Sequence, residues 1–164
     1  MSVTANWALK CDVAETLTAS VDAAASPVVN HNAFSSKGTL TATSTVPATK
    51  VSAEEIALTA GAYTIDLSAL TGTNGATVNG NGLKVQLFKF KNLGTGTAAA
   101  MTLTVGAANG YDLKGAAWSE TVSAGQETLF YGNEATPTIV TDTDDEIDIA
   151  GVGAETFELI IVMG

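Results

Sequence analysis

The chain is predicted to fold as an all-β protein, an antiparallel β-sandwich with an N-terminal arm. Three observations predict this. Short runs with a two-residue apolar period recur along the 164 residues. Clusters of Gly, Asn and Pro separate those runs at the spacing of sandwich turns. No stretch sustains a helical period. The run that organises the rest is Leu83 to Lys91, where Leu83, Val85 and Leu87 share one parity and Lys84 and Gln86 the other. The phase then flips, because Phe88 and Phe90 are apolar while Lys89 and Lys91 are polar. A flip inside a strand implies a β-bulge or a change of packing partner.

From the N-terminus, Val3, Ala5, Trp7, Leu9, Cys11 and Val13 alternate with mostly polar neighbours and are read as a strand. Glu15 to Val21 is read as a second strand, since Thr16, Thr18 and Ser20 fill a helix poorly. Asp22 to Ser36, with Pro27 and Asn30-His31-Asn32, is read as a loop or arm connection. The expected division is therefore an arm over residues 1–36 and a sandwich over 37–164. Gly38 to Val46 predicts an edge-type strand stopping at Pro47. Glu54 to Leu58 is ambiguous, Tyr63 to Leu67 is a half-buried strand, and Thr71 to Gly82 is a long turn region. After the central run come a strand at Met101 to Val105 and a turn at Asn109-Gly110. Trp118 to Val122 and Thr128 to Tyr131 flank Ala124-Gly125-Gln126 as a hairpin. Ile139-Val140, Glu146 to Ile149 and Phe157 to Met163 complete the series.

Composition narrows the function classes. Net charge is −10, and all seven basic residues are lysines. An acidic chain without Arg repels polyanions, so direct binding to nucleic acid or to an anionic membrane surface is not expected. A single cysteine, Cys11, permits no intrachain disulfide and is read as a buried small apolar residue. The first residues show neither a basic nor an apolar signal region, and the late apolar run Leu159 to Met163 is too short to span a bilayer. Synthesis and folding in a reducing cytoplasm are expected.

Motifs for chemistry are sparse. Gly94-Thr95-Gly96-Thr97-Ala98-Ala99 matches G-x-G-x-x-A, yet a strand period follows where a phosphate site needs a helix N-terminus. It is read as a turn. His31 is the only histidine and is read as a loop residue; Ser35 and Ser36 are near it in sequence only. One His and one Cys cannot supply a zinc ligand set, and no cofactor is expected. The carboxylates Asp142, Asp144, Asp145, Glu146 and Asp148 are the one cluster with calcium-type ligands. Ile147 stands where an EF-hand needs Gly, so the run is read as a solvated loop entering a strand. Trp7, Tyr63, Tyr111, Trp118 and Tyr131 are candidates for a sugar-stacking platform, although aromatics in strand phase more often fill a core or an interface. Tyr111 and Trp118 are the two expected to be exposed. With Val3, Trp7 and Leu9 they form the candidate interface set.

From Thr59 onward the chain resembles small structural proteins of tailed-phage virions, the β-sandwich decoration or head-stabilising type. The resemblance rests on Ala62 to Leu67, Gly82 to Gln86, Ala124 to Glu127 before Leu129-Phe130-Tyr131, and the apolar finish Phe157 to Met163. It implies a jelly-roll-like sandwich with no catalytic residues. It further implies a place in a virion made in the host cytoplasm, a major capsid protein or other virion protein as partner, and a homo-oligomer, a trimer by capsid symmetry. The alternative is a carbohydrate-binding sandwich of lectin or adhesin type. Either way the chain is read as non-enzymatic.

Overall fold

Antiparallel ladders without a helix make up the described residues of the computed structural model, which are 2–16, 28–31, 36–96, 98–131 and 138–164. The chain divides into two compact units, one of Ala5–Leu40 and one of Met1–Thr4 with Thr41–Gly164. The strands are β1 (Thr4–Leu9), β2 (Val13–Thr16), β3 (Val28–His31), β4 (Ser36–Thr41), β5 (Lys50–Ala57), β6 (Ala62–Asp66), β7 (Leu70–Thr71), β8 (Thr77–Val78), β9 (Val85–Asn92), β10 (Met101–Val105), β11 (Ser119–Val122), β12 (Glu127–Tyr131), β13 (Glu146–Ala150) and β14 (Thr156–Met163).

The larger unit holds two four-stranded sheets, ordered β12-β9-β14-β5 and β11-β10-β13-β6. The orders correspond rank by rank. Chain neighbours β11 and β12, β9 and β10, β13 and β14, and β5 and β6 occupy equal ranks in opposite sheets. Their connections lie at one end of the sheets, where Ala57 pairs with Thr156, Phe157 with Asn92, and Lys91 with Glu127. The long connections after β6, β10 and β12 gather at the other end. This topology corrects the expected hairpin at Ala124-Gly125-Gln126. β11 pairs with β10, and β12 pairs with β9, so the turn carries the chain from one sheet to the other. Gly125, at φ 74°, supplies the left-handed residue of that corner.

Alternating side chains from both sheets meet in one core. Ile65, Met101, Leu103, Ile147 and Ile149 come from one sheet, and Phe88, Phe90, Phe157, Leu159 and Ile161 from the other. Phe157 stacks on Phe90 at 5.0 Å and meets the edge of Tyr63, across the core, at 5.6 Å. The phase flip of the central run has its cause in the ladder. Leu87 faces Val162 while Val85 faces Met163, so Gln86 is the extra residue of a β-bulge. The bulge lies one residue before the flip in the sequence pattern.

Several expectations need correction. The ambiguous stretch near Glu54 belongs to the eight-residue edge strand β5, which closes its sheet against β14. The predicted strand Gly38 to Val46 ends at Thr41, because Ser44 takes the Thr41 N–H on its Oγ (2.9 Å) and turns the chain. The turn region Thr71 to Gly82 contains the small ladder β7–β8. Asn109-Gly110 does not form a tight hairpin. The Asn109 carbonyl instead accepts the N–H groups of Asp145 (2.9 Å) and Glu146 (2.7 Å). Gly110 bridges Glu146, and a Cβ there would sit 2.1 Å from Val105 Cγ1.

The smaller unit is built of ribbons. β1 pairs with β4, and β2 pairs antiparallel with β3. Part of Asp22 to Ser36, expected as a loop, is therefore strand; residues 22–27 and 32–35 lie outside the described residues, as do 17–21 of the second predicted strand. Cys11 is exposed rather than buried; it lies in the connection between β1 and β2, outside both strands.

Candidate functional site

The long-loop end of the larger unit brings together most of the residues that the sequence singled out. The acidic run forms the approach to β13, and its members diverge. Asp148 accepts Thr64 Oγ1 on Oδ1 (2.6 Å) and the Ala107 N–H on Oδ2 (2.9 Å). Glu146 accepts the Asn109 N–H (3.3 Å), Asp144 accepts Thr141 Oγ1 (3.1 Å), and Asp142 accepts the Asn81 amide. Among the described residues no three Asp, Glu, His or Cys side chains converge as a metal site.

Asp145 differs from its neighbours. It is 6% exposed, and its Oδ1 has no hydrogen-bond partner. Burial holds its carboxyl above the usual carboxylate range; a hydrogen bond with Ser68 opposes the rise, while Asp66, Glu146 and Asp142 add to it. Its backbone ties loops together, donating to the Asn109 carbonyl and accepting from the Leu67 N–H (2.8 Å). Nothing in the sequence separates Asp145 from the exposed Asp142 and Asp144. Only the pairing of three distant turns buries it.

Tyr111 is not the surface aromatic that was expected. It is fully buried, and its hydroxyl accepts the Val85 N–H (3.1 Å) and donates to the Thr138 carbonyl (2.7 Å). Burial pushes its pKa up to about 12. Trp118 is half-buried against the core, with Nε1 donating to the Tyr111 carbonyl (3.4 Å) and the Lys114 ammonium 5.9 Å from its ring. These two residues build the floor of the loop end.

The bulge also shapes an open groove of about 440 Å³, lined by Ser44, Pro47, Lys84, Gln86, Ile139 and Gly164 among others. Gln86 donates through Nε2 to the Gly164 carbonyl (3.1 Å), and its buried Oε1 lacks a partner. The phase flip was the sequence signal for this place, although it gave no hint of the groove.

In the smaller unit, Trp7 is half-buried and lies over Gly38, where an added Cβ would come within 2.8 Å of the ring. Leu9, Val13 and Val28 are exposed at 39%, 51% and 56%. Register places Val13 opposite His31 and Thr16 opposite Val28, so the two valines project from opposite faces of the β2–β3 ribbon. Among the described residues nothing covers either valine. Val3, the fifth residue of the candidate set, is buried. His31 is a strand residue and not the loop histidine expected. Gly94 to Ala99 joins β9 to β10 with no helix among its described residues, as a strand-to-strand turn requires.

Among the described residues no helix is long and apolar enough to cross a membrane. No family model matches the chain, and no curated protein does. A solved structure from Bacillus endospore appendages, described as forming a novel family of disulfide-linked pili, is similar to the chain at 15% identity and a TM-score of 0.31. The match covers 70% of this chain and 86% of that one. At that TM-score the likeness carries no argument about what this chain does. The resemblance to tailed-phage decoration proteins is nevertheless corrected, because the match found is to a bacterial appendage protein and not to a virion part. The capsid-decoration role falls with it, while the capsid partner, the trimer and the virion location gain no support from the match.

Proposed function

We propose that the protein is a non-enzymatic structural subunit that associates with other copies of itself through its N-terminal ribbons, with a jelly-roll sandwich as its body. The observation that carries this reading is the β2–β3 ribbon, whose Val13 and Val28 are exposed on its two faces among the described residues, with Leu9 exposed nearby in sequence. A two-stranded ribbon is marginally stable alone in water and gains stability when a third strand or a second layer covers it. A second copy of the chain supplies such a cover by symmetry. The rank-by-rank strand order of the two sheets supports the jelly-roll reading of the body.

Light scattering at tens of micromolar is expected to give a mass that is a multiple of the chain mass. Leu9→Glu combined with Val13→Glu is expected to weaken association about a hundredfold or more, from the loss of two burials worth about 1.5–3 kcal/mol each. A monomeric full chain at that concentration sinks the reading. A double variant that stays assembled moves the interface onto the sandwich body.

A carbohydrate-binding or adhesin-like role is the second reading. It is favoured by the groove beside Gln86, which offers the hydroxyls of Ser44 and Thr45 and an exposed Ile139 to a polar ligand. Its discriminating measurement is binding of the full chain to a glycan array.

A further inference from the structure

A buried carboxylate needs a partner for its charge, and without one it takes up a proton or holds a cation. Asp145 is such a group, and three acidic neighbours make the problem worse. Asp66 faces it from the end of β6, Asp142 from the turn before it, and Glu146 from the start of β13; all three are acidic. Ser68 is the hydroxyl within its reach, and Ser68 has one proton to give. That proton serves Asp66 Oδ1 at 2.6 Å, where the Ser68 N–H also donates at 2.8 Å. Asp66 and Asp145 therefore compete for that one proton, so Ser68 offsets the burial of Asp145 only in part, and Asp145 Oδ1 stays without a partner. Among the described residues no three carboxylates converge here to hold a metal, which favours the proton over the cation.

We propose that Asp145 is a proton-operated latch for the long-loop end, closing the junction of the 66–69, 107–110 and 141–146 turns when neutral and loosening it when ionised. The means of coupling is the backbone of the same residue. Its N–H and C=O bond Asn109 and Leu67, one in each of the other two turns. Moving an ionised side chain toward water strains both bonds together. Because the folded protein favours the neutral form, the latch contributes fully at low pH. Its contribution is lost as pH rises from the ordinary carboxylate value through the raised one.

The test is amide hydrogen exchange of the full chain between about pH 4.5 and 8, corrected for intrinsic exchange rates. Protection at Leu67 and Asp145 is expected to fall with rising pH, by up to about tenfold per pH unit while the proton is lost. Asp145→Asn is expected to hold high protection at every pH. Unchanging protection in the unmodified chain overturns the latch, as does an Asp145→Asn variant that is unprotected throughout. Since that variant can fail for other reasons, the carboxyl ¹³C shift of Asp145 in the unmodified chain gives a second check, and titration in the ordinary carboxylate range overturns the proposal. Millimolar calcium that restores protection at high pH in the unmodified chain, but not in Asp145→Asn, makes a cation the neutralising group and equally overturns the proton latch.

Discussion

Phe157→Ala is expected to cost about 3–5 kcal/mol, a large share of the 5–15 kcal/mol that holds a typical domain together. The ring is fully buried in β14, and its loss would remove the stack on Phe90 and the edge contact with Tyr63 in one step. Those contacts join the two sheets, so the cavity would open where neither backbone relaxes easily. Denaturant unfolding followed by tryptophan fluorescence measures the change as a lower midpoint at constant slope. A loss under about 1 kcal/mol would mean that the site collapses around the missing ring and that the core is looser than its burial suggests.

Asn92→Asp is expected to destabilise by a similar amount, about 3–5 kcal/mol, although it changes shape hardly at all. Asn92 is fully buried at the short-connection end. Its Nδ2 donates to the carbonyls of Ala99 (2.6 Å) and Val122 (2.9 Å), and its Oδ1 accepts the Gly94 N–H (2.8 Å). Its backbone also bonds Gln126 and Gly125 (both 2.9 Å), so one residue fastens the β9–β10 and β11–β12 crossings. A carboxylate cannot donate. It would leave two buried carbonyls unpartnered and facing a negative charge, and each such loss costs about 1–3 kcal/mol. A proton restores one donor, so stability should partly recover as pH falls, a pH response that the unmodified residue cannot give. A variant within about 1 kcal/mol of the unmodified chain at neutral pH refutes this account.

The sequence revealed strands more readily than their partners. β6, β10 and β13 carry a clean two-residue period because one face of each meets the core, and β14 was legible as an apolar run, since Val162 is buried beside the core-facing Ile161 and Met163. β5 was not, since Ala53, Glu54 and Glu55 have low strand propensity and its place depends on pairing with β14, about a hundred residues away. The turn at Ala124-Gly125-Gln126 was legible as a turn, but a tight turn looks the same in sequence whether it joins two paired strands or carries the chain between sheets. The side chains at the long-loop end were the least legible. Tyr111 looked like a loop aromatic until Thr138 and Val85, distant in sequence, met its hydroxyl. Asp145 looked like any other member of an acidic run.

The mirrored strand order has a consequence for how the chain is made. β14 is the last of the eight sheet strands to leave the ribosome, yet it lies between β9 and β5 rather than at an edge. Until it arrives, Phe88 and Phe90 in β9 and Ile56 in β5 lack the strand that is to join them, and each earlier strand presents an open backbone edge. Nascent chains that stall before residue 156 therefore carry two unsatisfied strand edges and a core without Phe157, Leu159, Ile161 and Met163, the state most prone to pair with another chain. Closure of the body is a late, long-range event, and its rate is set by the search of the C-terminal segment for a slot already flanked on both sides.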